Sequence, residues 1–468
     1  MAADARRSPA AFDPTAFQAF RFTNCELDAD GHVTLRYALD EQIHFVEELD
    51  LPVEGGVREV DRERVQGLLS LLHWVAGVSY FKTALPARVS CETGAPGPAA
   101  AALLEALYSE GLAELAYTNA LRELPRPSFG ADAGAAAVER RPAGAAAVER
   151  RPSDARGLER VLVAVGGGKD SVVALEIVRR AGVAVTLFSV GDAAPIARTV
   201  AAAGLPRLLA TRRLDPGLAA LNSAGAINGH IPITAIVSCV ALLTAALNGL
   251  DAVAMANERS ASLGNLSWDG VDVNHQFSKG LRAERLLSAA AAQAGGPRLF
   301  SVLRPASELT IARAFARMKG YHRAFTSCNA IFRIDPALRA ASWCCECPKC
   351  RFVFLALAPF SEPAVLREIF GRDLLEEEDQ FAGFALLSAT GGHKPFECVG
   401  EEQESLAAIR LLAQDPRWRS HSVVRRLVEE VLSRYPPGVG DPELVLALSD
   451  EHDVPARVLA DVRAVLGS

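Results

Sequence analysis

The chain has 468 residues, half of them apolar, which is enough for two or three domains of ~150 residues with a sizeable core and excludes a disordered chain. A net charge of −7 and a pI near 5.8 argue against a chain-wide electrostatic grip on nucleic acid. MAADARRSPAAFDP at the start lacks a secretory apolar core, and most of the nine cysteines are not spaced like a disulfide scaffold, so a reducing cytoplasm is the expected setting.

Taken along the chain, FRFTNCELDADGHVTLRYALD reads as a hairpin turning at Asp30-Gly31. Helical periodicity follows in LLSLLHWVAGVSYFKTALP and AAALLEALYSEGLAEL. These predict a small α+β domain over residues 1–130. The nonapeptide GAAAVERRP then occurs at Gly134–Pro142 and again at Gly144–Pro152, an Ala/Arg/Pro tandem without an apolar stripe, so 131–156 reads as a duplicated linker.

Beyond the linker, apolar runs at 160–165, 183–190, 207–211 and 251–256 alternate with helical patterns, and SVLRP at 301–305 adds a fifth strand candidate. That alternation predicts βαβ units and an α/β fold with a doubly wound parallel sheet over 157–360, followed by a mainly helical region over 361–468.

VAVGGGKDS sits where the first of these strands passes into a helix. In an open α/β sheet, ligands bind beyond the carboxyl ends of strands, where Gly166, Gly167 and Gly168 let several N–H groups converge at a helix N-terminus. An anionic ligand is implied. Lys169 offers a mobile charge for phosphate oxygens, Ser171 a hydroxyl, and Asp170 a carboxylate able to orient the loop or to hold Mg²⁺ through water. The spacing matches neither a Walker loop nor a dinucleotide fingerprint.

From Gly217 to Leu250 there is no Asp, Glu, Lys or Arg, yet Ser238, Cys239, Thr244 and Asn248 dilute the run and it leads at once into a strand. It reads as a helix buried against the sheet, not a membrane span. After the 251–256 strand, Asn257, Glu258 and Arg259, then Asp269, Asp272, His275 and Lys279, gather polar groups where they would face a nucleotide. His275 is the leading candidate for proton transfer, with Asp272 and Lys279 beside it. Arg304, Arg313, Arg317, Lys319, His322, Arg323 and Arg333 read as a solvated basic face or as a site for an acidic substrate.

Cys328 precedes Cys344-Cys345-Glu346-Cys347-Pro348-Lys349-Cys350, and C-x₂-C-x₂-C with an upstream thiol suits a structural Zn²⁺ on Cys328, Cys344, Cys347 and Cys350. A redox pair, a sulfur-carrying cysteine or plain buried thiols are the alternatives. Further on, Gly391, Gly392 and Lys394 belong to a loop that approaches a ligand in one reading.

GGGKDS closely resembles the S-G-G-x-D-S loop of the N-type ATP pyrophosphatases (PP-loop enzymes), with Gly166 where that family often has serine. The resemblance implies an adenine nucleotide α-hydrolase type of sheet, ATP with Mg²⁺, and Ser189 and Val190 as neighbours of the adenine. VAVGGGKDS, MANERSASLGN, VNHQFSK, LRPASEL and CPKCRFVFLALAPF, in this order, resemble the ATP-dependent UDP-N-acetylmuramoyl-L-alanyl-L-glutamate epimerases of bacterial peptidoglycan synthesis. This family implies that ATP activates the terminal glutamate of a UDP-linked muramoyl dipeptide, the α-centre inverts, and AMP and pyrophosphate leave. A 7-cyano-7-deazaguanine synthase, sharing the loop and the spacing of the last three cysteines, or an RNA-thiolation enzyme, sharing the loop, is the second reading, and a non-enzymatic ATP sensor the third.

Overall fold

The computed structural model describes residues 12–53, 62–130, 157–268, 270–333, 337, 339–390 and 395–467. The duplicated linker, Asp269, Gly391, Gly392 and Lys394 lie outside the described residues. Strands β1 (Ala19–Leu27), β2 (His32–Leu39), β3 (Ile43–Asp50) and β4 (Arg88–Cys91) come from the N-terminal segment. Past the linker follow β5 (Arg160–Ala164), β6 (Ala184–Val190), β7 (Arg207–Arg213), β8 (Ala252–Met255), the short β9 (Leu266–Trp268) and β10 (Val271–Val273), and β11 (Arg298–Ser301).

Nine of these form one mixed sheet in the order β11-β8-β5-β6-β7-β3-β2-β1-β4, while β9 and β10 pair only with each other. The block from β11 to β7 is parallel, as the alternation of strand and helix patterns requires. The expected strand at 301–305 begins earlier: Arg298–Ser301 pairs with β8, and a turn follows.

The β1–β2 hairpin is present, but a strand not read from the sequence follows it. β3 pairs with β2 on one side and, antiparallel, with β7 on the other, matching Glu48 to Arg213 and Asp50 to Thr211. The N-terminal strands therefore extend the parallel sheet instead of forming one of their own. IHFVEELD buries Phe45, Glu47 and Leu49 along one face, and a glutamate in the buried register hides the period-2 signal of a half-buried strand. Arg212 neutralises that glutamate through bonds of 2.7 and 3.1 Å and also donates to Ser79 at 2.9 Å.

Alternate residues of the parallel strands enter two different cores. Leu162 and Val253 pack under the helices Arg62–Ala76, Pro98–Tyr108, Ile233–Leu247 and Leu281–Gln293. Val161, Val163, Ala252 and Ala254 pack under Lys169–Arg180, Glu308–Ala316, Pro348–Leu357 and Glu402–Gln414. The middle of the parallel block is thus covered on both faces, which is why its strands read as continuous apolar runs. The charge-free segment forms the buried helix Ile233–Leu247, and among the described residues no helix is long and apolar enough to cross a membrane.

The helix after β5 lies on one face and the helix after β8 on the other, so these adjacent strands diverge at their carboxyl ends and open a crevice between them. Glu47→Ala leaves the Arg212 guanidinium buried without its carboxylate and is expected to cost about 3–5 kcal/mol in urea unfolding. Glu48→Ala, which removes a half-exposed pair with Arg213, is expected to cost less than about 1 kcal/mol in the same measurement.

Candidate active site

A cleft of about 360 Å³ occupies that crevice. One wall is the loop after β5. Gly167 holds φ +80°, and a Cβ there would come within 2.7 Å of the Pro195 backbone, so only glycine fits the turn. At Gly166, by contrast, a Cβ would meet nothing within 4 Å: the loop is open toward the cleft at the position where a serine is absent. The helix Lys169–Arg180 starts at Gly168 without a side-chain cap, which leaves its first N–H groups for a ligand.

Lys169 is not the mobile cation the sequence suggests. Only 1% exposed, it forms ion pairs with Asp170 and with Glu308 at the start of the helix Glu308–Ala316. It therefore fixes the loop and does not line the cleft. The ammonium groups that do line it belong to Lys279 and Lys349. Burial pushes the Asp170 carboxyl up, but Lys169 and Lys349 hold it below its ordinary value.

The facing wall combines Phe188, Ser189 and Val190 at the end of β6 with Met255, Ala256, Asn257 and Glu258 after β8. Two buried polar atoms here have no hydrogen-bond partner: Ser189 Oγ, on a side chain 3% exposed, and Glu258 Oε1, on one 2% exposed. Orphaned polar atoms of this kind cost free energy unless a ligand satisfies them. Arg304 supports this wall from behind. Fully buried and paired with Glu284 at 2.5 Å, it donates to the carbonyls of Glu258 and Lys279 at 2.5 Å each. It is an internal clamp and not part of a basic face.

At the end of the cleft the structure adds a group the sequence did not single out, Cys398. Lys279 Nζ lies 3.3 Å from its sulfur, and Lys349 Nζ bonds its carbonyl. His275 holds Glu114 through Nδ1 at 2.6 Å and lies near enough to the thiol to shift its ionisation. The His230 ring lies against the His275 ring, centroids 4.2 Å apart and planes tilted by 37°. Burial raises the Cys398 thiol, but Lys279, His275 and Lys349 together bring it down to about 5. His275, disfavoured as a cation by burial, is raised to about 9 by Cys398 and Glu114. Both shifts favour the thiolate with the imidazolium over the neutral pair.

Cys328, Cys344, Cys347 and Cys350 converge as the spacing suggests, with sulfurs all within 4.8 Å of one another and pairs at 3.5 and 3.8 Å. Tetrahedral zinc with bonds of about 2.3 Å separates its sulfurs by about 3.8 Å, so the cluster has the dimensions of a zinc site. Cys345, between the ligands, turns away into the apolar core. Ser327, next to Cys328, and Lys349, between Cys347 and Cys350, both line the cleft. The cluster therefore sets two of its walls.

Of the residues singled out in the sequence, Gly166, Gly168, Asp170, Ser171, Ser189, Val190, Asn257, Glu258 and Lys279 line the cleft, and His275 reaches it through Cys398. Asp272 does not: it is exposed on β10, because the β9–β10 hairpin turns alternate residues outward. Arg259 points to the C-terminal segment, donating to the carbonyls of Ala447 and Val445 at 3.0 and 3.1 Å. Cys398 was hidden because its partners, Glu114, His275 and Lys279, stand up to 284 positions away in the sequence.

Comparison with known proteins gives two family matches that cover most of the chain: the MurL N-terminal domain over residues 11–301 and the MurL C-terminal domain over 324–437. A protein of Salinispora tropica named UDP-N-acetyl-alpha-D-muramoyl-L-alanyl-L-glutamate epimerase is 47% identical over 88% of this chain and 89% of its own length. One of the same name from Xanthomonas oryzae pv. oryzae is 40% identical over 97% of this chain and 99% of its own length.

Because the positive groups around Cys398 favour its thiolate, its alkylation by iodoacetamide is expected to stay level as pH falls through neutrality and to drop only near pH 5. An ordinary thiol loses reactivity tenfold per unit below about pH 8.5. Lys279→Met should move the drop to higher pH, read by peptide mapping of the alkylated Cys398.

Proposed function

We propose, from the premise that the chain belongs to the MurL family, that it inverts the terminal L-glutamate of UDP-N-acetylmuramoyl-L-alanyl-L-glutamate to D-glutamate and consumes ATP in doing so. Its reaction class, epimerase and hence isomerase, is that of relatives 40–47% identical over most of its length. The observation that carries the ATP part of the reading is the cleft between β5 and β8, in which a glycine loop, an uncapped helix start and two orphaned polar atoms face one space. This is the arrangement expected of an N-type ATP pyrophosphatase domain: triphosphate on the loop of Gly166 to Ser171, adenine beside Ser189 and Val190.

The substrate explains why a nucleotide is needed. A glutamate whose nitrogen is already in a peptide bond cannot form a Schiff base, so the electron sink of pyridoxal phosphate is closed to it. Its α C–H becomes acidic only when the carboxylate loses its negative charge, and transfer of AMP to the carboxylate does this. Lys279 and Lys349 are placed to stabilise charge on the phosphates and on the acyl group during that transfer. A divalent cation such as Mg²⁺ fits the donor set, since Glu258 Oε1 lacks a partner and Asp170 presents a second carboxylate to the cleft, and when bound it supplies charge neutralisation on the phosphates. Zinc on the four thiolates supplies structure, not chemistry, by fixing Ser327 and Lys349.

A second hollow, of about 620 Å³, lies on the far side of the Glu114 helix and is lined by Ala113, Ala116, Arg122, Arg126 and Trp268. Tyr117 of that helix packs against Trp268 and against Phe396, two residues before Cys398. We infer that this hollow takes the UDP-linked part of the substrate, with the guanidinium groups of Arg122 and Arg126 for its diphosphate.

The test supplies ATP, Mg²⁺ and UDP-N-acetylmuramoyl-L-alanyl-L-glutamate and measures glutamate chirality after acid hydrolysis together with AMP and pyrophosphate. D-Glutamate at the level of an enzyme-free control overturns the proposal. Asp170→Asn is expected to lower AMP formation at least ~10²-fold in a folded protein. Metal analysis is expected to find about one zinc per chain, and stripping it should lower both the Tm and the affinity for ATP. A metal-free preparation of equal stability would remove zinc from the account.

A further inference from the structure

Cys398, His275 and Glu114 are neighbours: a thiol in the cleft with the Lys279 ammonium 3.3 Å from its sulfur, an imidazole near it, and a carboxylate 2.6 Å from the imidazole Nδ1. This is the order of a nucleophile, its base and the group that orients the base. It is a poor arrangement for taking a proton from one face of a carbon and returning it to the other, because of the two only the thiol lines the cleft. Epimerisation through opposed acid and base needs two separated groups. The geometry is that of acyl transfer.

We propose that Cys398 is a covalent catalyst, which takes the acyl group of the terminal glutamate α-carboxyl from AMP as a thioester before the α-centre inverts. The proposal rests on the adenylation reading above. Sulfur attacks the carbonyl carbon, the S–C bond forms, the C–O bond to the phosphate breaks, and its electron pair leaves on AMP. Lys279, 3.3 Å from the sulfur, favours the attacking thiolate, and the lowered Cys398 and raised His275 ionisations are what such a pair requires. The thioester keeps the carbonyl electron-withdrawing, because sulfur donates to it weakly, and the α-centre loses and regains its proton in this form. Water then adds, the C–S bond breaks, and a carboxylate, the thiolate and two protons are released. AMP is free before inversion is complete, so the cleft need not hold nucleotide and rearranging acyl group at once.

The experiment acid-quenches the full-length enzyme during turnover with ATP, Mg²⁺ and the UDP-muramoyl dipeptide and maps acyl adducts by mass spectrometry. The expected result is a hydroxylamine-labile adduct on the peptide bearing Cys398, absent without ATP. Cys398→Ala should form no adduct and lose epimerisation at least ~10²-fold, while dipeptide-dependent ATP–pyrophosphate exchange, which precedes the thiol, still reports a folded cleft. Exchange in the wild type without an adduct on Cys398, or epimerisation by Cys398→Ala at the wild-type rate, overturns the thioester and leaves adenylation standing. No exchange in the wild type defeats the adenylation reading itself, and the thioester with it.

Discussion

The cleft depends on one buried ion pair, Lys169 with Glu308. Two charges removed from water are tolerated only where each is neutralised by close partners, and here Glu308 meets Lys169 and, at 3.8 Å, Lys349. Lys169 ends the glycine loop, Glu308 starts the helix after β11, and Lys349 starts the helix after the cysteine cluster. One carboxylate thus gathers three elements around a single space. A second buried acid, Glu404, extends the network: it accepts from Ser260 Oγ at 2.5 Å and from the Glu308 N–H at 2.8 Å, which ties the C-terminal helix Glu402–Gln414 to the same floor. Burial and the neighbouring carboxylates of Glu401 and Glu308 raise Glu404 to about 8, which favours its neutral form in this network of acids.

The division of labour among the lysines follows from this network. Lys169 is consumed by structure, whereas Lys279 and Lys349 line the cleft and are the two to which the proposed function gives the ligand. Each of these two is placed by a different device: Arg304 holds the carbonyl of residue 279, and the four cysteines bracket residue 349. A lysine on an open loop would lose about 2 kcal/mol of side-chain freedom on meeting its ligand. Holding the backbone beneath it reduces what remains to be ordered.

The parallel half of the sheet was legible because its strands are buried on both faces and carry the unbroken apolar runs that burial demands. The glycine loop was legible because a strand end, three glycines and a helix start leave few other uses for that stretch. The limits are as physical. β3 carries Glu47 in its buried register, and only the distant Arg212 makes that tolerable. The role of Lys169 depends on Glu308, 139 residues on, and the thiol of Cys398 is an ordinary cysteine until Glu114, His275 and Lys279 are folded around it. Asp272 and Arg259 show the converse: polar residues beside a cleft in sequence that a hairpin turn or a backbone carbonyl elsewhere carries away from it.

The join between β3 and β7 also sets the order in which the chain can assemble. Glu47 and Arg212 are 165 residues apart, so the edge of β3 must wait, unpaired, until most of the parallel sheet has been synthesised. Contacts of such long range are formed late and slow folding, and a waiting strand edge invites pairing with another chain. The buried carboxylate on β3 works against that hazard, because a strand from a foreign chain that lacks an arginine opposite Glu47 would have to bury an unpaired charge. The same residue that obscures the strand in the sequence thereby makes β7, with its arginine, a better match for this edge than a strand without one.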